Sequence, residues 1–454
     1  MRNIPPLSQP GEQHEEDNSR RSFARRHGLH CPGRQRHHVR VRGRRLNYLH
    51  TKSHAHGYAV KDLKENSFKL ANGLDGANKI GFKGEEDIGN AKVGFKLENQ
   101  FTLTDGEFKD SKKLFSREAR LYVRNEFGEI SAGRMGGLAS AAGSYDIFFG
   151  EADAFDGGDN AIPYAFVTSD RYDNSLVYQT PEISGFQGTL MYSFNKNDKQ
   201  QDKFKDNDRY IGAGLSFKQD ALALVGVVEA QLRDRPTKDF FHFMEYKNGY
   251  TFNLGGNYDF GVAKVFAGAQ IARHANVGDI QDGVDMKAIA KKAVSEANVA
   301  LHQAEATVAA KALTDYNNVV TAVNNVFDDK HQVPVAAKID DFEKSASKLA
   351  DHAIDLTRHV QVNGQAFTIG AQVPFGSNLL TTAAYLGHYK QCESIEDIGK
   401  EKIHTYGVSA RLEHFLSKRS TLYVGAGIGQ SKLKGTETLK HDIGQVYFGL
   451  HHNF

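Results

Sequence analysis

The sequence predicts an all-β fold: a transmembrane antiparallel β-barrel of about 16 strands, with a helical hairpin inserted in one outer loop. Three observations carry this. From Asn78 to the C-terminus, segments of about 8–13 residues alternate apolar and polar side chains with period two, the pattern of strands with one apolar face. The connections between these segments alternate between very short and long. No run of about 18 apolar residues exists to make a membrane-crossing helix. The mean hydropathy of −0.52 still suits a membrane barrel, because alternating strands average to the value of a soluble chain.

Composition narrows the function classes. Over 454 residues, 57 Lys and Arg nearly balance 55 Asp and Glu, so no global field argues for nucleic acid. The two cysteines, Cys31 and Cys392, are too far apart for a disulfide framework or a metal knuckle. No cofactor or metal is implied.

Residues 1–56 differ from the rest, being rich in Arg and His. A basic tail, a nucleic-acid arm, or a zinc site on Cys31, His37 and His38 are the alternatives, though no zinc-ligand spacing recurs. The preferred expectation is a frame-shifted signal peptide plus first strand. Read one nucleotide later, His14 to Asn18 permits Met-Lys-Lys-Thr and His27 to Pro32 permits Met-Ala-Phe-Thr-Ala, the pieces of a secretory signal.

The strands themselves are legible. Val446, Phe448, Leu450, His452 and Phe454 share one face, opposed by Gln445, Tyr447, Gly449 and His451. Leu422, Val424, Ala426 and Ile428 oppose Thr421, Tyr423, Gly425 and Gly427, and Val265, Ala267, Ala269 and Ile271 oppose Lys264, Phe266, Gly268 and Gln270. A soluble sandwich shares this period. The connections favour a barrel: EDIGN, EFGE, PEISG, DFG, PFGS and FLSKRS are tight, and those between them are mostly long, as in outer-membrane barrels. Aromatics at strand ends (Tyr258, Phe260, Phe375, Phe415) suit an interfacial girdle. About fifteen strands are counted, with the N-terminal segment placed to supply a sixteenth, enough to enclose an aqueous lumen. Inward-facing Gly425, Gly427 and Gly429 suggest open space there.

One segment breaks the pattern. Over 283–358, Ala290, Val294, Ala297, Leu301, Ala304 and Val308, then Ile339, Phe342, Ala346, Leu349, Ala353 and Leu356, fall at heptad spacing, with Pro334 in the break. Two helices are expected, packed on each other or presenting a contact surface.

These features together resemble the trimeric general porins of Gram-negative outer membranes, across roughly Phe68 to Phe454 apart from the helical insertion. Asn78 to Gly89 (NKIGFKGEEDIG) is similar to the family's second strand and first periplasmic turn. Phe115 to Ala119 and Phe127 to Arg134 resemble the strands leading into loop three. Asn174 to Tyr178 and Pro181 to Phe186 resemble the pair after it. The ending Gly449 to Phe454 resembles the signal read by the barrel-insertion machinery. The resemblance implies a porin barrel over 57–454, in a homotrimer embedded in outer-membrane lipid and lipopolysaccharide. It also implies a water-filled channel for ions and small hydrophilic solutes.

It further implies a constriction, with acids on a loop three of about Met135 to Asp170 and basic residues on the facing wall. Glu151, Asp153, Asp156 and Asp159 are the candidate acids; Asp159 stands where the family's Gly-Gly-acid motif puts its acid. Lys79, Arg134 and Arg171 match family arginine positions, and Arg117 is added. Parity puts Lys79 in the lumen, opposite Ile80 and Phe82. Arg117 and Arg134 share parity with apolar neighbours, so they belong at strand ends or beside a bulge, since facing lipid at the midplane would cost about 2–4 kcal/mol each. Gly-x-Ser-x-Gly, His-Glu-x-x-His and phosphate-loop motifs do not occur, so no enzyme is expected. The competing reading is an adhesin or structural barrel acting through its helical loop.

Overall fold

A computed structural model describes residues 36–41, 44–56, 63–72, 77–159, 162–196, 207–233, 247–280, 286–324, 332–392, 402–434 and 438–453. Fifteen strands follow Asn78. They are β4 (Lys79–Asp87), β5 (Lys92–Gln100), β6 (Glu118–Asn125), β7 (Gly128–Gly136) and β8 (Arg171–Gln179). Next come β9 (Phe186–Ser193), β10 (Arg209–Gln219), β11 (Leu222–Leu232), β12 (Gly249–Asp259) and β13 (Lys264–Asn276). The last five are β14 (Gln361–Phe375), β15 (Asn378–Gln391), β16 (Lys402–Phe415), β17 (Ser420–Lys434) and β18 (Thr438–Asn453). Each pairs antiparallel with the next.

The N-terminal part departs from expectation. It supplies three strands rather than one, β1 (Arg36–Val41), β2 (Arg44–His56) and β3 (Leu63–Asn72), giving an eighteen-stranded sheet. β2 lies inside the segment set apart as anomalous, yet it runs along β18 from Gly449 to Thr438 and carries β3 on its other side. The reason is visible in its residues: Leu46 and Tyr48 are exposed and the intervening Asn47 is buried, so period two survives there. The last strand therefore has a partner along most of its length. β1 pairs with two residues of β18 and five of β4, which leaves the wall short of full closure at this seam. His37 and His38 lie on β1, while Cys31 and Phe454 are outside the described residues.

Short turns join β4–β5, β6–β7, β8–β9, β10–β11, β12–β13, β14–β15 and β16–β17, all at one end of the barrel. Two of them are Asp-x-Gly turns: the carboxylates of Asp87 and Asp259 accept from the amides of Gly89 and Gly261 at 2.9 and 2.8 Å. Both glycines have positive φ, which costs glycine little. The other end carries the long connections, apart from the three-residue link between β17 and β18. Among them, residues 137–170 form loop three, and the β13–β14 connection holds the helical insertion.

Among its described residues, that insertion has three helices where the sequence reading gives two: α2 (Met286–Gln303), α3 (Ala306–Asn324) and α4 (Phe342–His359). The first heptad run breaks at Ala304–Glu305, between α2 and α3. The unit packs on itself. Tyr316 meets Phe342 edge-on at 4.9 Å and its hydroxyl bonds Ser345 at 2.6 Å. Asn317 holds both backbone groups of Ala336, and Asn324 both of Val333.

The barrel is turned inside out relative to a soluble sheet. Leu121, Leu254, Ile369, Val408 and Ile428 are all more than 40% exposed on the outer face. The buried residues face inward and gather around loop three, where Phe148, Phe149, Tyr164 and Phe166 form an aromatic cluster with wall residue Tyr385. Burying aromatic area of this kind is the main force that can fix a long loop inside a lumen.

Candidate pore constriction

Loop three crosses the lumen and lies against the inner wall from β10 to β18. A row of inward glycines seats it. A Cβ on Gly255 would come within 2.5 Å of Ala152 Cβ, one on Gly370 within 2.8 Å of Ala154 Cβ, and one on Gly387 within 2.6 Å of Ala165 Cβ. Gly427 and Gly429 belong to the same track, under Ile162 and Pro163, and Gly425 lies beneath Tyr447. The inward glycines therefore do not signal open space. They make room for the loop.

Hydrogen bonds fix its course. The Leu138 amide donates to Tyr210 Oη at 3.0 Å, and the Ala139 amide donates to Glu229 Oε1 at 3.0 Å. Gln270 clasps Val167 at both backbone groups, each at 2.8 Å, while donating to Asn253 Oδ1 at 2.7 Å. Tyr389 donates to the Ala165 carbonyl and Gln372 to the Ala154 carbonyl, both at 2.7 Å.

The four acids divide accordingly. Asp153 is buried; its Oδ2 accepts from the amides of Gly157 and Gly158 at 2.9 and 2.7 Å, which folds the loop's tip. Burial pushes its carboxyl up to about 6, against the pull of those two amides. Asp159 is buried too and accepts from Tyr447 Oη at 2.7 Å. Both therefore serve as attachments of the loop rather than as lining of the narrow point. Glu151, in the short helix α1 (Phe149–Ala152), is partly covered and held by Lys218 and by Asn257 at 2.9 Å. Burial would raise its carboxyl, but Lys218 and Asn257 outweigh that and hold it below the usual range. Asp156 alone of the four is exposed, at a positive φ beside Gly157.

The facing wall, β4 to β8, is a ladder of cations around carboxylates. Lys79 and Arg117 both bind Glu98, at 3.2 and 2.7 Å. Lys96 and Arg120 both bind Glu118, at 2.9 and 2.8 Å, and Arg120 also reaches Glu129 at 2.7 Å. Arg134 binds Asp173 at 2.6 Å, which Lys113 shares; Lys92 and Arg124 bind Glu85. Arg171 opens β8 beside Arg117 and Arg134. Arg117 immediately precedes β6, and Arg134 adjoins the register shift between Gly133 and Met135. The structure thus brings the four predicted cations to one end of one wall, apart from the buried acids. Lys96, Arg120, Arg124 and the carboxylates between them were missed. Their signal was parity, since Glu118, Arg120 and Arg124 share the face opposite Leu121 and Val123. Near its start the loop meets this wall, where Lys96 donates to Ser144 Oγ at 2.9 Å and Arg120 to Tyr145 Oη at 2.7 Å.

A barrel wall with an inward-folded third loop facing a basic ladder agrees with what the chain resembles in sequence. The Gram-negative porin family matches residues 51–434. This chain belongs to the Gram-negative porins. It is 32% identical over 219 residues, 45% of this chain, to an outer membrane porin protein of Bordetella pertussis. It is 28% identical over 227 residues, 49% of this chain, to the major outer membrane protein P.IA of Neisseria meningitidis serogroup C. The matches span 54% and 49% of those relatives, so the chain aligns with about half the length of each. Among solved structures, the anion-selective porin from Comamonas acidovorans superposes at TM-score 0.53 with 16% identity, covering 93% of this chain and 100% of that one. The outer membrane channel DcaP of Acinetobacter baumannii reaches 0.50 with 12% identity, covering 93% and 98%. This porin is an outer-membrane β-barrel, and the likeness to solved porins is one of fold.

Proposed function

We propose that this porin forms a passive, water-filled channel for ions and small hydrophilic solutes, with its narrow point between loop three and the β4–β8 wall. The observation that carries this is the loop itself, anchored along the inner wall so that it narrows the lumen beside a ladder of charges. Passage through such a neck needs lining groups that replace water's contacts without binding tightly. Paired charges do this, because most cations on the wall already share a carboxylate: Lys79 and Arg117 with Glu98, Lys96 and Arg120 with Glu118, Lys113 and Arg134 with Asp173. The cations nevertheless outnumber the carboxylates, most of which are shared by two. Two of the loop's acids are buried in its anchoring. The neck therefore favours anions, and low-dielectric walls focus that preference. No reaction is assigned to any residue.

The chain assembles as a homotrimer, by analogy with the family, and resists SDS until boiled, because hydrogen-bonded walls persist in detergent. Osmotic swelling of proteoliposomes tests the channel. Small sugars and amino acids should enter at rates that fall with solute size, and vesicles that swell no faster than protein-free controls would overturn the reading. A structural or adhesive barrel acting through its helical loop predicts that second result.

A further inference from the structure

Strands β15 and β16 each place a histidine on the outer face near the long-loop end. His388 and His404 stand directly opposite one another, between the pair Leu386 and Tyr406 and the pair Lys390 and Lys402. Both are exposed. Their rings lie with centroids 4.3 Å apart and planes at 47°, and Nδ1 faces Nδ1 at 3.0 Å. Other outward histidines meet oxygens: His50 meets Asn66 Oδ1, His414 meets Asn378 Oδ1 and His452 meets Ser420 Oγ. A solvated surface histidine needs no more than that.

We propose that the pair is a surface site for a divalent transition metal, Cu2+ or Ni2+, held by both Nδ1 atoms at adjacent coordination positions. A neutral imidazole offers one lone pair and one N–H, so without a metal one ring donates to the other. A metal asks the donating ring only to move its proton to Nε2. Both Nδ1 lone pairs then converge, and neither ring changes charge. The sheet makes this convergence cheap. Opposite residues on neighbouring strands have Cβ atoms about 4.5–5.5 Å apart, and β15 and β16 stay in register from Asn378 and His414 to Lys390 and Lys402. Binding therefore costs the rotamer freedom of two side chains and no ordering of backbone.

The spacing selects the ion. An imidazole nitrogen lies about 2.0–2.1 Å from a divalent ion of this size, so two such bonds at a right angle put the nitrogens about 2.9 Å apart, and at the tetrahedral angle about 3.4 Å. The observed 3.0 Å is close to the right-angle value, the geometry of tetragonal Cu2+ and Ni2+ and not of tetrahedral Zn2+. Water completes the coordination, since among the described residues no third His, Cys, Asp or Glu joins the pair. The charged neighbours are lysines. Lys432 stands opposite His404, and Lys390, Lys402 and Lys434 follow one row further out. They oppose a second cation, although their long stems let the ammonium groups turn toward water. Salt should therefore strengthen binding here, where it weakens a site built on carboxylates.

Conduction plays no part in this site. The full-length protein in dodecyl maltoside, stripped with EDTA and titrated with copper sulfate, tests it by calorimetry and electron paramagnetic resonance. The chain has 20 histidines, so the comparison with variants decides. His388→Gln and His404→Gln should each lose one Cu2+ equivalent, and the double variant should lose no more than either, because the two rings share one ion. At that site each single variant should bind at least about 100-fold more weakly, the usual gain of two linked ligands over one. A control with His302→Gln and His414→Gln should retain the equivalent. The difference spectrum of parent and single variant should show splitting from two imidazole nitrogens, and Ni2+ should bind more tightly than Zn2+. Raising sodium nitrate from 0.15 M to 1 M should strengthen binding, since screening of the lysines tightens from about 8 to 3 Å. Full stoichiometry in either single variant overturns the proposal, as do two equivalents lost in the double variant or Zn2+ binding more tightly than Ni2+. If the variants do not assemble, a parent whose copper spectra carry no two-nitrogen species still decides against it.

Discussion

Replacing Gln270 by leucine should loosen loop three without touching its charge. The amide of Gln270 is 1% exposed and makes three bonds, two to Val167 and one to Asn253. Leucine has similar bulk but answers none of them, leaving the Val167 amide, its carbonyl and the Asn253 carbonyl oxygen buried without that partner. Each unsatisfied group costs about 1–3 kcal/mol. Taking the low end for all three gives about 3 kcal/mol, roughly a 150-fold rise in the population of loops detached at this point. The rest of the loop stays held by Tyr389, Gln372 and the Asp159–Tyr447 contact. In single-channel recordings, Gln270→Leu should keep the parent's main conductance level while brief closures and current noise become far more frequent. Unchanged closure statistics, in a variant that keeps the parent's heat-dependent gel mobility, would refute the idea that these bonds fix the loop.

Glu98→Gln frees Lys79 and Arg117 from their shared carboxylate, so the reversal potential should move toward anions; an unchanged potential would place Glu98 outside the conducting path. Asp156→Asn should shift selectivity toward anions, while Asp153→Asn should alter it less, both read from reversal potentials at low salt. The raised carboxyl of Asp153 contributes stability that is complete below about pH 4 and lost as pH rises through about 6. Closures should therefore become more frequent across that window in the parent, and Asp153→Asn should flatten this part of the profile. Replacing α2–α4 by a short Gly-Ser linker should leave conductance and SDS resistance unchanged, because the insertion packs on itself; a monomeric or unfolded product would show that it holds the assembly.

Most of the wall was legible because period two survives one residue at a time. Val408 and Ser409, or Phe448 and Tyr447, declare their faces without knowledge of any neighbour. The same logic placed Lys79 inward and sent Arg117 and Arg134 to irregular backbone. The loop was harder to read. That Asp153 would turn back to the amides of Gly157 and Gly158, or that Tyr447 would meet Asp159 across 288 residues, depends on where the loop lies, which no local pattern encodes. The inward glycines misled for the same reason: a missing side chain looks alike whether water or another segment fills the gap. Gln270, Glu229 and Tyr210 gave only the ordinary signal of an inward polar residue. In the insertion, heptad spacing ran unbroken past Ala304 although the chain turns there, since periodicity records which residues are apolar and not where a helix stops.

The most direct test of the account is the reversal potential of the parent channel in a planar bilayer under a tenfold KCl gradient. Loop three narrowing a lumen beside an excess of wall cations predicts discrete conductance steps and a potential of the sign set by chloride. That potential should shrink as both solutions approach 1 M, where screening falls to about 3 Å, and it should shift toward cations when Lys79 and Arg171 are neutralised together. Absence of conductance steps, or a cation-selective potential unchanged in the Lys79→Gln/Arg171→Gln variant, would contradict the account.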